Sequence, residues 1–425
     1  MNLKPIVTKL IACCLFISIA NNVSAQKIIP VDSSRTQILR IDPSNAMGGN
    51  ASDFFTEVNY IPLETTNESL FGSISKLVIT DDYFIILDRN TSSILIFNKA
   101  GKFHAKIKGS QGAPIWEFAV NKYAKEIRFS RDQYKTYSYA NYDGKILRSV
   151  KSGGELAKDE INDGNLHYFA PNKGVSYEFP NNVDSTSKYF KTYSKSLILF
   201  TDEKNKVYAH GLGFDKREGE DLNTLSTGIW PFNTVSDTAF YYTKPYSSNI
   251  YTIKPDAITL SYKLVFPYFI SLPADFTVNP EYKKKQIEYV QKHPKIIYCV
   301  ANFYQLNENL IFKAGSWDSY PEDNLIYNIR TGTLIAYKHI LQDERSYFLP
   351  IYDDSNWGVS FNNSGILACA DGYIYTSASS LGMFQYREKY ADQKAKYPPA
   401  LDAYFKKGSR KDNPVIMQLK LKDNL

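Results

Sequence analysis

The segment Ser92–Lys108 (SSILIFNKAGKFHAKIK) has the pattern of two β-strands joined by a tight turn. Apolar residues fill its first half, Ala100-Gly101 stands at the turn, and apolar and polar residues alternate in its second half. Glycine supplies the positive backbone torsion that hairpin turns need, and such alternation is typical of a strand with one buried face. The segment therefore predicts a β-hairpin.

This hairpin pattern recurs along the chain, with Gly, Asn or Asp at most turns. The further copies turn at Asp143-Gly144, near Asn205, at Pro255-Asp256 and at Thr331-Gly332. A strand precedes each hairpin, a sixth such strand lies near the C-terminus, and another apolar stretch comes before each one. These six strands begin at Tyr83, Glu126, Val175, Thr238, Leu310 and Tyr373. Six units of four strands predict an all-β, six-bladed β-propeller with four-stranded antiparallel blades.

The two ends of the chain indicate how the ring closes. Pro414–Leu421 (PVIMQLKL) has the pattern of a third strand, but no outer partner follows it. Glu57–Leu63 (EVNYIPL) precedes the first unit and belongs to no hairpin. We expect these N- and C-terminal strands to pair, because closure removes a sheet edge that would invite aggregation.

Insertions interrupt the pattern in the last two blades. Asn279-Pro280 is typical of an N-cap followed by Pro at the first helical position, and predicts a helix to about Lys292. Residues 381–407 predict a second helical or mixed segment, broken at Pro398-Pro399. Before the propeller domain of residues 54–425, residues 26–53 show weak periodicity and predict an extended lead-in along the surface.

Composition excludes several classes of protein. Apolar residues make up 43% of the 425 residues and aromatic residues 15%, a bias that favours strands over helical bundles, coiled coils and disorder. The net charge of +6 comes from 50 basic and 44 acidic residues spread along the chain, and gives no reason to expect nucleic-acid binding. No segment approaches the ~20 apolar residues of a membrane-spanning helix.

Residues 1–25 have the pattern of a secretory signal peptide. Lys4 and Lys9 form a positive start, Leu10–Ala20 is a short apolar run, and Val23-Ser24-Ala25 is a small-residue cleavage site that leaves Gln26 first. The pattern predicts a periplasmic or extracellular protein. In the alternative, a lipobox-like Leu10-Ile11-Ala12-Cys13 would make Cys13 a lipid anchor, but almost no apolar region would then precede the cysteine.

The mature chain keeps two cysteines, Cys299 and Cys369. We expect buried free thiols on strands, and a single disulfide is the alternative in an oxidising compartment. No cysteine or histidine spacing is typical of a zinc site.

Several short motifs carry a resemblance to a known family. They are Tyr60-Ile61-Pro62-Leu63-Glu64-Thr65, Phe71-Gly72-Ser73-Ile74, Ile85-Ile86-Leu87-Asp88, Phe97-Asn98-Lys99-Ala100-Gly101-Lys102-Phe103 and Asp412-Asn413-Pro414-Val415. Together they resemble the secreted six-bladed β-propellers abundant in Bacteroidetes, which are related in fold to NHL-repeat propellers. The glycine-rich turn of that family is degraded here, at 109–114. The resemblance implies the fold and export, and almost no chemistry.

Catalytic constellations are mostly missing from the sequence. There is no nucleophile elbow, P-loop, zinc-protease motif or dinucleotide fingerprint. The acidic pairs Asp81-Asp82 and Asp353-Asp354 are interpreted as turn residues that cap backbone amides. No cofactor is implied. Predicted outer strands carry His104, His210 and His339. His293 lies at the end of a predicted helix, and His167 lies near a predicted inner strand.

Three tryptophans are the candidate ligand-binding residues. Trp116, Trp230 and Trp357 each precede the second strand of an alternate blade, which would place them about 120° apart around one mouth of the channel. We hypothesise an aromatic collar for a sugar ring or peptide. In the alternative, each indole packs between neighbouring blades, and Trp317 breaks the pattern.

The sequence favours an exported, non-catalytic binding or scaffold propeller. It is expected to be a monomer that recognises a glycan, peptide or protein through one face or the central channel. The alternative is a lyase or hydrolase that acts on a carbohydrate or lactone, for which three or more His, Asp or Glu side chains should converge in the channel.

Overall fold

The computed structural model is a closed ring of six β-sheets. It describes residues 27–109, 112–132, 136–151, 166–177, 196–202, 207–223, 234–236, 239–318, 323–353 and 365–425. Each sheet is mainly antiparallel, and the sheets follow one another along the chain as the blades of a propeller. The predicted six-bladed β-propeller is therefore confirmed.

The N-terminal segment forms short elements that precede the first blade. They are β1 (Lys27–Ile29), β2 (Val31–Asp32), β3 (Gln37–Arg40), a 3-10 helix (Pro43–Asn45), β4 (Met47–Asn50) and α1 (Ala51–Phe54). β5 (Phe55–Pro62) follows and belongs to the last blade.

In each blade the strands run from the central axis to the rim. Blade 1 holds β6 (Lys76–Ile79), β7 (Tyr83–Asp88), β8 (Ser93–Asn98) and β9 (Phe103–Lys108). Blade 2 holds β10 (Phe118–Asn121), β11 (Glu126–Ser130), β12 (Thr136–Asn141) and β13 (Ile146–Lys151). Blade 3 holds β14 (Leu166–Ala170), β15 (Lys173–Tyr177), β16 (Ser196–Thr201) and β17 (Val207–Gly213).

The second half of the ring continues this order. Blade 4 holds β18 (Thr234–Val235), β19 (Phe240–Tyr242), β20 (Asn249–Lys254) and β21 (Ala257–Val265). Blade 5 holds β22 (Cys299–Leu306), β23 (Asn309–Gly315), β24 (Asn324–Asn328) and β25 (Leu334–Leu341). Blade 6 holds β26 (Ala368–Ala370), β27 (Tyr373–Ala378), β28 (Val415–Leu421) and β5.

The core consists of apolar layers between blades. Ile86 and Leu95 of blade 1 pack in the layer shared with blade 6, whereas Ile85 and Ile94 pack in the layer shared with blade 2. Because both faces of a middle strand are covered, sequences such as SILIFN in β8 are apolar without alternation. The layer between blades 2 and 3 is the smallest among the described residues, with four buried members.

The ring closes through its two terminal strands, as the sequence predicted. β28 lies between β27 and β5, and its register with β5 runs from Val415 opposite Pro62 to Leu421 opposite Phe55. At the rim, Glu57 accepts a hydrogen bond from the Tyr373 hydroxyl at 2.8 Å and pairs with Lys420 at 3.2 Å. The hydrogen bonds of the sheet thus join the beginning of the propeller to its end.

The N-terminal segment also adds parallel strands to three consecutive rims. β1 pairs with β17, β2 and β3 pair with β21, and β4 pairs with β25. Blades 3 to 5 therefore extend beyond the four antiparallel strands that the sequence predicted. The added strands satisfy N–H and C=O groups of edges that would otherwise be open.

Five α-helices, including α1, lie among the described residues. The others are α2 (Lys216–Asn223), α3 (Gln286–Lys292), α4 (Ser380–Lys389) and α5 (Pro399–Lys407). Helix α2 was not predicted, because KREGEDLN has no apolar periodicity. No helix of the described chain is both long and apolar enough to cross a bilayer.

The insertion before blade 5 differs from its prediction. Asn279 caps as expected, since its side chain accepts a hydrogen bond from the Glu281 amide at 2.9 Å. However, the single predicted helix is wrong: a 3-10 helix (Pro280–Tyr282) is separated from α3, and Lys284 between them has a φ of 61°. A residue in the left-handed region cannot continue a right-handed helix.

Candidate functional site

The two ends of the propeller differ in the length of their connections. At one end, the turns between strands range from two residues (171–172) to five (329–333). At the other end, connections range from four residues (89–92) to 36 (379–414), and both helical insertions begin and end there. We call this end the long-loop face and the opposite end the short-turn face. Long connections held on a rigid ring are where binding residues are usually placed.

An ion-paired network joins the inner ends of blades 1 and 2 at the long-loop face. Lys76, the first residue of β6, donates to Glu117 Oε1 at 2.7 Å and to the Phe118 carbonyl at 2.8 Å. Arg89, directly after β7, donates to Glu117 Oε2 at 3.0 Å. One carboxylate therefore engages two cations from the neighbouring blade, which fixes the geometry of this part of the channel mouth.

Trp116 lies beside this network with its side chain in solvent. It is 55% exposed, whereas Ile115 and Phe118 on either side of the 116–117 pair are fully buried. The Arg89 Nε donates to the Trp116 carbonyl at 3.2 Å. Anchored backbone on both sides thus presents a large flat ring next to charged groups, an arrangement that suits a sugar ring or a peptide.

The other tryptophans do not complete the collar in this structure. Trp230 and Trp357 lie outside the described residues, so the three-indole arrangement stays a prediction. Trp317, which broke the sequence pattern, is half-buried against the Tyr246, Phe276 and Tyr298 cluster.

His167 lies at the second position of β14, as expected for an inner strand. Its ring is 5.0 Å from the ring of Phe240 in blade 4. Burial lowers the pKa of His167 to about 3, and the charge of Lys76 contributes further to that lowering. The imidazole is therefore neutral near pH 7 and is a packing group rather than a cation.

This pKa makes His167 a source of acid sensitivity. In the unfolded chain, histidine protonates near its ordinary pKa of about 6.5, whereas the folded chain resists protonation down to about 3. Its contribution to stability is complete above the unfolded pKa and is lost as the pH falls below it. We expect His167→Gln to reduce the fall in melting temperature between about pH 7 and about pH 5.

Thermal melts of the two proteins across that range are the measurement. His293→Gln, which changes an exposed histidine after α3, is the matched control and should retain the wild-type slope. If melting temperature fell equally with pH in His167→Gln and wild type, His167 would not be a source of the acid sensitivity.

The remaining histidines lie where the sequence placed them. His104, His210 and His339 are on the outer strands β9, β17 and β25, and His293 follows α3. His104 Nε2 is 2.8 Å from Asp143, and His210 Nδ1 is 2.7 Å from the Ser196 hydroxyl. Across the ranges that the structure describes, no three His, Cys, Asp or Glu residues are grouped to hold a metal ion.

The acidic pairs have structural positions. Asp81 and Asp82 are exposed in the short turn between β6 and β7. Asp353 is buried and accepts hydrogen bonds from the amide and the hydroxyl of Ser379, at 2.7 and 2.5 Å, at the start of α4. It therefore holds Ser379, whose hydroxyl caps α4 by accepting from the Gly382 amide, while Asp354 lies outside the described residues.

A buried polar cluster between blades 5 and 6 was missed by sequence reasoning. Lys313 and Asp323 are 3.5 Å apart with side chains only 5% and 2% exposed, and burial raises the pKa of Asp323. Asn302, at a bulge in β22, has a φ of 54° and donates to the Ile366 carbonyl at 2.8 Å. The sequence does contain a signal for this cluster, because the polar residues Asn302 and Lys313 stand inside the largely apolar strands CVANFYQL and NLIFKAG.

The two cysteines are buried, free thiols on the innermost strands β22 and β26. Burial raises the pKa of Cys299 to about 12, and nearby Lys313 opposes this only in part. The thiolate form is therefore negligible at neutral pH.

A family model described as a domain of unknown function (DUF4934) matches residues 38–420. No curated protein matches the chain. Among solved structures, a "Putative exported protein" from Bacteroides fragilis is 15% identical with a TM-score of 0.60, and the match covers 93% of this chain and all of that one. At this identity, the likeness concerns the fold alone.

Two further solved structures match the chain with lower scores. A member of the DUF4221 family from Bacteroides vulgatus is 9% identical with a TM-score of 0.41, and the match covers 87% of this chain and 97% of that one. A streptogramin B lyase is 11% identical with a TM-score of 0.35, and the match covers 67% of this chain and 73% of that one. Neither supports an inference about activity.

Proposed function

The chain belongs to the DUF4934 family, and we propose that it is an exported binding or scaffold propeller whose long-loop face recognises a glycan, peptide or protein. The observation that carries the proposal is the asymmetry of the ring. Between strands of the six blades, every connection longer than five residues joins strand ends at the long-loop face, where Trp116 is presented in solvent. The nine residues 109–117 suffice to cross from one blade to the next, so the 33 residues of 266–298 exceed what the ring requires.

The chemistry around Trp116 defines what such a ligand offers. Its indole supplies an apolar face, while Arg89, half of whose side chain is exposed, supplies a charged donor group at the same place. We propose that Trp230 and Trp357 complete the aromatic collar around the channel mouth. Ring stacking combined with a few fixed polar groups is the usual chemistry of sugar and peptide sites.

A binding role is supported over catalysis by the state of the charged groups. Glu117 already accepts hydrogen bonds from Lys76, Arg89 and the Phe118 amide. A carboxylate held by three donors is a positioning group, because a general acid or base needs a free oxygen within reach of substrate. Among the described residues, no observation specifically favours the alternative of a lyase or hydrolase.

The proposal includes export and a source among Bacteroidetes. Residues 1–25 act as a signal peptide that is cleaved before Gln26, with the Cys13 lipid anchor as the alternative. Residues 26–53 form the lead-in and 54–425 the propeller domain, which we propose is of the NHL-related type and monomeric. The sequence patterns of the N-terminus and of the propeller motifs support these assignments.

The test is a glycan and peptide array probed with residues 26–425, followed by affinity measurements on the strongest ligand. We expect Trp116→Ala to weaken binding by about tenfold or more, because aromatic anchors dominate binding energy. Tyr123→Ala is the matched control: Tyr123 is 51% exposed in the same blade, but in a turn of the short-turn face. Unchanged affinity for Trp116→Ala, or an equal loss for Tyr123→Ala, would refute the proposal.

A further inference from the structure

The insertion between blades 4 and 5, residues 266–298, carries a group of strongly exposed apolar side chains. Tyr268 is 92% exposed, Phe269 73% and Val278 72%, the three highest values among the large apolar side chains of the described residues. We call these three residues the insertion tip. Side chains of this kind are rarely left in water on a soluble surface without a function.

A packed base holds the insertion tip in place. Behind it, the rings of Phe276, Tyr282 and Tyr289 lie 4.9 to 5.3 Å from one another, and Val290 is fully buried. The insertion is thus built around its own aromatic core, and the exposed residues project from an ordered element.

Helix α2 braces the insertion from the neighbouring connection. Arg217 pairs with Asp221 at 2.9 Å and donates to the Asn279 carbonyl at 3.4 Å. Gln286 of the insertion donates to the buried Asp221 carboxylate. Polar contacts therefore fix the insertion against a second segment of the long-loop face.

The insertion also carries a surplus of positive charge. Its five lysines are Lys283, Lys284, Lys285, Lys292 and Lys295, against three acidic residues. All five are exposed. One acid, Glu288, pairs with Lys292 at 2.6 Å, and another, Asp275, accepts from the Asn279 amide group at 2.9 Å. The run Lys283–Lys285 directly follows Tyr282 of the aromatic core.

We propose that the insertion tip enters the surface of an anionic lipid bilayer, with the lysines against the lipid headgroups. Aromatic residues settle at the interface between headgroups and acyl chains, and basic residues beside them gain from anionic lipid. This chemistry requires both parts, and both lie within residues 266–298. The propeller would then be held at a membrane by contact alone, with its long-loop rim toward the bilayer.

A lipid surface fits the insertion tip better than an acidic polysaccharide does. Sugar binding uses flat ring faces set side by side, as in an aromatic platform. Val278 has no ring face, yet it is as exposed as Phe269. A set of exposed aliphatic and aromatic side chains matches acyl chains, which accept either kind.

Vesicle co-sedimentation of residues 26–425 tests the proposal. We expect binding to vesicles of equal parts phosphatidylglycerol and phosphatidylcholine, weaker binding at high salt, and little binding to phosphatidylcholine alone. The double variant Tyr268→Ser/Phe269→Ser should lower the partition coefficient by about tenfold or more. The triple variant Lys283→Gln/Lys284→Gln/Lys285→Gln should lower it on anionic vesicles specifically.

The matched control is Ile146→Ser/Leu147→Ser, which removes two exposed apolar residues from β13, 40% and 48% exposed. It should bind vesicles as the wild type does, and melting temperatures will show that all variants fold. The proposal is overturned if the wild type does not bind anionic vesicles or if the tip variant binds them as the wild type does. It is also overturned if alginate, an acidic polysaccharide, displaces the wild type completely from vesicles while the tip variant still binds vesicles.

Discussion

Deletion of Val415–Leu425 is expected to abolish the cooperative unfolding transition of the whole chain. The deleted strand β28 lies between β27 and β5, and Val415, Ile416, Met417 and Leu419 are fully buried in it. Truncating a single buried side chain of this size costs about 2–5 kcal/mol, whereas whole domains are stable by about 5–15 kcal/mol. The loss of four such residues, together with two ladders of hydrogen bonds, therefore removes more stabilising free energy than the free energy of unfolding of the whole ring.

Deletion of Asp423–Leu425 is the matched control for this truncation. These residues follow β28. Their carbonyls accept hydrogen bonds from the exposed Arg330 and Thr331, and half-buried Leu425 packs at the edge of the core of blades 5 and 6. We expect a loss of about 1 kcal/mol. Calorimetry and far-ultraviolet circular dichroism are the measurements. A chain without β28 that melts as sharply as the full chain would show that the ring does not depend on this closure.

The second large effect is expected at Asn413. Its side chain is fully buried and donates to the carbonyls of Glu64 and Ser69, at 2.9 and 3.0 Å. Its amide oxygen accepts from the Phe71 amide at 3.0 Å. Asn413→Asp keeps the shape but replaces both donors by a carboxylate oxygen that faces two carbonyls. We expect a loss of about 3–5 kcal/mol, from two unsatisfied acceptors and a buried charge.

Asn98→Asp is the matched control, because the Asn98 side chain uses its oxygen as an acceptor. That oxygen accepts from the amides of Ala100 and Lys102, at 3.0 and 2.9 Å, and an aspartate preserves both bonds. Urea unfolding of the two variants is the measurement. Lower pH should restore part of the stability of Asn413→Asp, since a protonated carboxyl can donate one bond. Equal stability of the two variants would exclude the donor role of Asn413.

Asn413 also joins two of the motifs that carry the family resemblance. The motif Asp412-Asn413-Pro414-Val415 at the last strand and the Tyr60–Thr65 motif near the first blade are far apart in the chain. In the structure, Asn413 binds the 64–71 segment directly, and its own amide donates to the Thr65 hydroxyl at 2.9 Å. Two motifs that stand at opposite ends of the sequence thus form one joint.

The blades could be predicted because their signals are local. Turns such as Ala100-Gly101 and Asp143-Gly144 have positive φ at glycine, as hairpins require, and strands such as β8 are apolar at every position between their first and last residues. The parallel strands of the N-terminal segment could not be predicted, because β1 and β2 have only three and two residues. Strands this short form only when another edge is already present to pair with them.

The candidate site was predictable only in part for a similar reason. The exposed aromatic Trp116 could be placed from its distance to β11, but the network around it depends on Arg89 and Lys76, which are distant in sequence. A single charged residue at the end of a strand forms no sequence pattern from which its partner could be predicted. The hydrogen bond from Asn302 to the Ile366 carbonyl likewise depends on the approach of blades 5 and 6.

Hydrogen–deuterium exchange on residues 26–425, with and without the strongest array ligand, tests the central claim most directly. The claim is that the long-loop face is the recognition surface, with Trp116 at its centre. We predict that ligand slows exchange at 112–118 and 89–92 and leaves the turns 80–82 and 122–125 unchanged. Protection confined to the short-turn face or to the rim would contradict it.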